Sequence, residues 1–173
     1  MLEARNPYSK KYILAIHSTN NHFGFAYKDI DNLDCPAVFF IKSFNKDLSN
    51  NLISDLATFL SERSFHCIER ISISIGPSNF NATRLIVVLA RTISQQIKCP
   101  LDYYSSYRIM AKRIVKKNNL MKKNKYFWII NKLARRGYIA GKYMIDCQKS
   151  DDQIFTIQEI IQPRLFKEIE NKN

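Results

Sequence analysis

Few side chains in this sequence are spaced for chemistry. The histidines are His17, His22 and His66. His17 and His22 flank one short polar turn, so two imidazoles could share a metal. No third ligand follows at helical spacing, however, and no HxxxH pair occurs. Cys35, Cys67, Cys99 and Cys147 form no CxxC pair, which argues against a zinc knuckle or a dithiol redox site. Ser72, Ser74, Ser105 and Ser106 have no evident base beside them and read as outward strand positions and a helix cap. Neither a metal site nor a catalytic residue is expected. The most distinctive local segment is Gly76 to Arg84, GPSNFNATR. Gly76 and Pro77 turn the chain, Asn79 or Asn81 can cap a helix, and Arg84 falls in its first turn. Such a junction can cradle an anion on free N–H groups, but a single glycine gives backbone amides little room to approach one.

These residues are set in a basic chain. Lys and Arg number 27 against 15 Asp and Glu, giving +12 and a pI near 9.6. Such a field attracts polyanions, nucleic acid first among them. Much of it is local: Lys98 to Lys125 holds nine basic residues and one acid, Asp102. Lys112, Arg113, Lys116 and Lys117 are the candidate RNA contacts in that stretch, and the plainer reading is a solvated helix face. The opening residues contain no long apolar run, and no stretch reaches the length of a membrane span. A cytoplasmic protein with reduced thiols is the expectation.

The elements that must position these groups follow from periodicity. Residues 12–17, 22–28 and 36–42 read as three strands, the first two joined as a hairpin. Leu48, Leu52, Ile53, Leu56, Phe59 and Leu60 recur at helical spacing and predict a helix over about 47–63, capped by Asn45 or Asp47. Ile71, Ile73 and Ile75 alternate with serines as a fourth strand. A second helix is predicted over about 81–98, apolar around most of its circumference, so more than one surface must cover it. Residues 101–104 can form a fifth strand and 105–117 a basic helix. Residues 118–125 read as an exposed connection. Strand-like segments follow at 126–131, 138–147 and 154–160, and Pro163 suggests a short terminal helix through Ile169. Trp128 with Tyr126 and Phe127 could stack bases, although an apolar strand core explains them more simply. This order predicts an α/β fold of the actin-like ATPase or RNase H-like type. It would have a mixed sheet with flanking helices over 1–104, and a smaller, truncated lobe with the terminal helix over 105–173.

Four segments in this order resemble the TsaB (YeaZ) family. GPSNFNATR is similar to its GPGSFTGLR-like signature, matching at Gly76, Pro77, Phe80 and Arg84. ILAIHSTNNHFGFAY resembles its ILAIDTST start and returning strand. PLDYYSSYRIMA is similar to its strand, serine pair and helix, and Ala134-Arg135-Arg136-Gly137 before Tyr138 resembles its DARRGEVY segment. The resemblance runs from about residue 12 to 147.

What the resemblance implies is a pseudo-enzyme. That family, once given a glycoprotease (peptidase M22-like) label, binds the TsaD-type catalytic subunit as a heterodimer in threonylcarbamoyladenosine modification of tRNA. A TsaE-type ATPase belongs to the same assembly, tRNA is reached through the complex, and a homodimer can form when the chain is alone. The family's contact is made by the two helices placed here at 47–63 and 81–98, so Leu52, Leu56, Phe59, Leu85, Val88 and Thr92 are the candidate partner-binding residues. In the periodicity argument Ile86, Leu89, Ile93 and Ile97 face the sheet, leaving Leu85 and Val88 on another side. The chain departs from the family at His17, where an acid is usual, and at Ser78 and Ala82, where glycines are usual. Histidine cannot replace a carboxylate toward Mg²⁺, which requires hard oxygen ligands, so no cofactor and no nucleotide are expected. The same substitution weighs against a two-metal nuclease of this fold. The alternatives are a stand-alone RNA-binding module and, with less support, a nuclease or peptidase.

Overall fold

The computed structural model describes residues 10–32, 34–44, 48–118, 126–134, 136–147 and 155–167. It contains two compact units, Met1–Tyr104 and Ser105–Asn173.

In the first unit, β1 (Tyr12–Ser18) and β2 (His22–Asp29) form the hairpin, closed by Thr19, whose backbone N–H donates to the His22 carbonyl at 2.7 Å. β3 (Val38–Ser43) extends it antiparallel, while β4 (Ile68–Ser74) and β5 (Leu101–Tyr104) add parallel strands on the other side of β1. The mixed sheet therefore has the order β3-β2-β1-β4-β5. Alternation aims Leu14, Ile16, Phe23, Phe25, Ile71 and Ile73 to one face, where each is at most 2% exposed. Helices α1 (Leu48–Phe59) and α3 (Phe80–Ile97) supply Leu52, Leu56, Ala82, Ile86 and Ala90 to that same core. Lys42 Nζ reaches both oxygens of Asp55 at 2.9 Å, tying edge strand β3 to α1.

The first helix is shorter than its apolar spacing predicts. It stops at Phe59, and a separate turn, α2 (Glu62–Phe65), begins after Ser61. Ser61 is extended, and its Oγ accepts from the Ser64 N–H at 3.3 Å. A serine that satisfies a helix N-terminus in this way competes with continuation of the preceding helix. The expected caps Asn45 and Asp47 lie outside the described residues.

The second unit packs α4 (Ser106–Asn118) on a three-stranded antiparallel sheet, β6 (Tyr126–Leu133), β7 (Gly137–Cys147) and β8 (Phe155–Phe166). Tyr107, Ala111 and Val115 recur every fourth residue on the buried side of α4 and meet Ile129, Tyr143, Ile145, Phe155 and Ile157. The Ser105 Oγ accepts from the Arg108 N–H at 3.0 Å and opens the helix. Burial pushes the Tyr143 hydroxyl well above the usual tyrosine range, and that hydroxyl donates to Glu159 Oε2 at 3.1 Å.

The expected terminal helix beginning at Pro163 is replaced by strand: β8 continues to Phe166. Pro163 suits a helix start by sequence, but β8 is the edge of its sheet. Its position falls where the pairing with β7 slips between Ala140 and Lys142, so its missing N–H disrupts no regular ladder. The remainder of the expected helix, and most of the expected connection at 118–125, lie outside the described residues.

Candidate functional site

Gly76–Arg84 forms the junction between β4 and α3. Gly76 has φ +95°, a region costly for any side chain, and Gly76–Pro77 is a cis peptide. Asn79 then caps α3: its Oδ1 accepts from the N–H groups of Asn81 at 3.1 Å and Ala82 at 3.2 Å. Two of the donors an anion would use at this helix start are thus already engaged by the cap. Ser78 Oγ lies 2.6 Å from Thr83 Oγ1 and 3.4 Å from Ser18 Oγ, joining the junction to the end of β1. Among the described residues these hydroxyls form a structural clasp with no acid or base as a hydrogen-bond partner. Beyond the clasp, Phe80 is 72% exposed, and the Arg84 guanidinium sits 5.4 Å from its ring centroid.

His17 is half-buried near the end of β1, and burial pushes its imidazole below the ordinary histidine value, favouring the neutral form. Among the described residues, no three His, Cys, Asp or Glu side chains gather as a metal site. Ser74, expected to face outward, is 2% exposed, and its Oγ has no hydrogen-bond partner among the described residues. The last residues of β4, Ile73 and Ser74, are both buried, so simple alternation fails there.

The proposed partner residues divide sharply. Leu52 and Leu56 are 3% and 2% exposed in the core, where no partner can reach them. This corrects their assignment to a docking face: their four-residue spacing is the inward stripe of α1. Phe59 stacks on Phe25 at 5.9 Å, and Leu85 packs partly buried against the same core. Val88 is 63% exposed and Thr92 is exposed, with its Oγ1 donating to the Val88 carbonyl at 3.0 Å. Phe80, Arg84, Val88 and Thr92 therefore form one outward stripe of α3 at four-residue spacing, and α1 exposes Ile53 at 67%.

On α4, Lys112, Arg113, Lys116 and Lys117 are all exposed, opposite Ala111 and Val115. Lys116 and Lys117 also occupy the last turn, where cations complement the helix dipole. Tyr126 and Trp128 are not strand core as expected: they are 49% and 43% exposed, while Phe127 and Ile129 face α4. Both alternating sets in YFWII are apolar, so the pattern does not say which one is buried.

No family model matches the sequence, and no curated protein matches it. Solved structures do match in three dimensions. YeaZ from Pseudomonas aeruginosa superposes with a TM-score of 0.68 at 12% identity, covering 91% of this chain and 68% of that chain. An uncharacterized protein with similarity to peptidase YeaZ from Pseudomonas aeruginosa superposes with a TM-score of 0.63 at 14% identity, covering 88% and 67%. The five-stranded mixed sheet with its flanking helices is the class of fold seen here. More particularly, the chain has the fold of YeaZ.

Proposed function

We propose that this chain is a non-catalytic scaffold subunit of the TsaB type. It would bind a TsaD-type catalytic subunit, in the cytoplasm, in the threonylcarbamoyladenosine modification of tRNA. The observation that carries the reading is the superposition on YeaZ over 91% of the chain, in the same molecule as the signature loop Gly76, Pro77, Phe80 and Arg84. The sheet supports an actin-like, RNase H-like assignment, with three antiparallel strands followed by two parallel ones. The site chemistry agrees with a scaffold. The hydroxyls of the β4–α3 junction bond to one another, Asn79 occupies two of the helix N–H groups, and His17 stands where the related fold's metal chemistry would need a carboxylate.

The docking surface in this reading is the outward stripe of α3 with the exposed Ile53 of α1. A stripe that mixes Phe80 and Val88 with Arg84 has the composition of an interface centre, where aromatic and Arg residues are enriched and Lys and acids depleted. The basic face of α4 then assists tRNA in the assembled complex through phosphate contacts, which position a nucleic acid without reading its sequence. Co-expression with a TsaD-type subunit and affinity capture on either tag should give a one-to-one complex. Separate elution of the two chains at micromolar concentration would refute the reading.

A further inference from the structure

The sheet of the second unit presents a surface that the scaffold reading does not use. Its inner face packs on α4 through Phe127, Ile129, Tyr143 and Ile157. Alternation therefore turns Tyr126 and Trp128 to the opposite face, beside Lys142, which is the cross-strand partner of Trp128. Arg164 and Phe166 of β8 reach that same face, paired with Ala140 and Tyr138 of β7. Lys142 Nζ lies 5.2 Å from the Tyr126 ring centroid and 5.9 Å from that of Trp128. The Arg164 guanidinium lies 5.0 Å from the Phe166 ring, and Phe166 meets Trp128 edge-on at 6.1 Å. Among the described residues the acid on this face is Asp146, at its far end and bonded to Gln158 at 3.4 Å.

We infer that the outward face of β6-β7-β8 is a stacking platform for single-stranded nucleic acid. Three aromatic rings interleaved with two cations combine the two elements such platforms use: π-faces for bases and fixed positive charge for phosphates. Tyr126 and Trp128 are two residues apart on one strand, roughly 6.7 Å, a spacing that successive bases of an extended strand can meet. The unit's charge is complementary, with 16 Lys and Arg against 6 Asp and Glu over residues 105–173. A duplex cannot use the rings, because its bases are already stacked on one another. The inference does not depend on a catalytic subunit and is tested without one.

Trp128 is the chain's one tryptophan, so its fluorescence reports the platform directly. Titrating the full chain with a 12-nucleotide oligo(U) should quench Trp128 fluorescence in parallel with binding measured by anisotropy of a labelled strand. An RNA duplex of equal length should bind without that quenching. Trp128→Ala and Tyr126→Ala should each weaken oligo(U) binding about tenfold, and Trp128→Phe should restore most of the loss. Both residues are exposed, and unchanged circular dichroism and melting would confirm that the variants fold. Binding without quenching, or unchanged affinity in Trp128→Ala, would overturn the inference. So would conversion of a dimer to a monomer by Trp128→Ala in sedimentation, with oligo(U) affinity unaltered, because the face would then belong to a second copy of the chain.

Discussion

Residues 1–104 carry 11 Lys and Arg against 9 Asp and Glu, whereas residues 105–173 carry 16 against 6. The larger unit is nearly neutral and exposes apolar side chains on α3 and α1. The smaller one holds most of the net charge and displays part of it on α4 and around exposed rings. The same chain thus offers one surface suited to protein and another suited to polyanion. Net charge alone would assign nucleic-acid binding to the whole molecule. In the scaffold reading its distribution separates docking from electrostatics, and substitutions in each unit test the two roles.

The largest expected effect is on the neutral unit's surface. Val88→Glu should leave the fold intact and abolish the heterodimer, because a charge at an interface centre must be desolvated without a partner. Circular dichroism and co-purification with the catalytic subunit check it; a folded variant that still binds would move the interface elsewhere. Leu56→Ala should act through stability instead, lowering it by about 3 kcal/mol as a buried leucine is removed from a packed core. Chemical denaturation would show the difference, and a decrease under about 1 kcal/mol would mean that the site collapses around the smaller residue.

Smaller effects are expected on the basic unit. Replacing Lys112, Arg113, Lys116 and Lys117 with Gln should weaken binding of the assembled complex about equally for every tRNA. It should also flatten the dependence of affinity on salt, since every phosphate a cation neutralises adds about 0.7–0.9 to the steepness of the logarithmic slope. A decrease confined to one tRNA would contradict a positioning role. The smallest effect concerns His17. Its pKa is lowered in the fold by burial, so the unfolded chain binds the proton more readily. Its contribution to stability is complete above the unfolded value of 6.5 and disappears as pH falls through the lower folded value. His17→Gln should therefore give a shallower decline of melting temperature below pH 6.5, with little change above it.

How much of this is legible in the sequence depends on whether a local rule has a competitor. At the start of α3 the competition is small: a Gly-Pro turn before an apolar helix leaves Asn79 and Asn81 as the two possible caps, and Asn79 takes the role. The parallel addition of β4 and β5 also follows from the alternation of strand and helix. Pro163 does have a competitor, because proline suits both the first turn of a helix and an edge strand, and only the sheet decides. Leu52 and Leu56 mislead for a related reason. Helical spacing identifies a stripe but not whether the stripe faces the protein's own sheet or a partner. The outward turn of Tyr126 and Trp128 is hidden because both faces of β6 are apolar. The signature loop is readable residue by residue, yet the Ser18–Ser78–Thr83 clasp joins Ser18 to a serine 60 residues away and needs the fold to become visible.

The scaffold reading is tested most directly by reconstitution. Threonylcarbamoyladenosine formed on tRNA should be quantified with the TsaD-type subunit and the enzyme supplying its activated substrate, in the presence and absence of this chain. Turnover is expected only when this chain is present, with none from this chain without the catalytic subunit and none with Val88→Glu. Modification at the same rate without this chain, or formation of product by this chain without the catalytic subunit, would contradict the scaffold role.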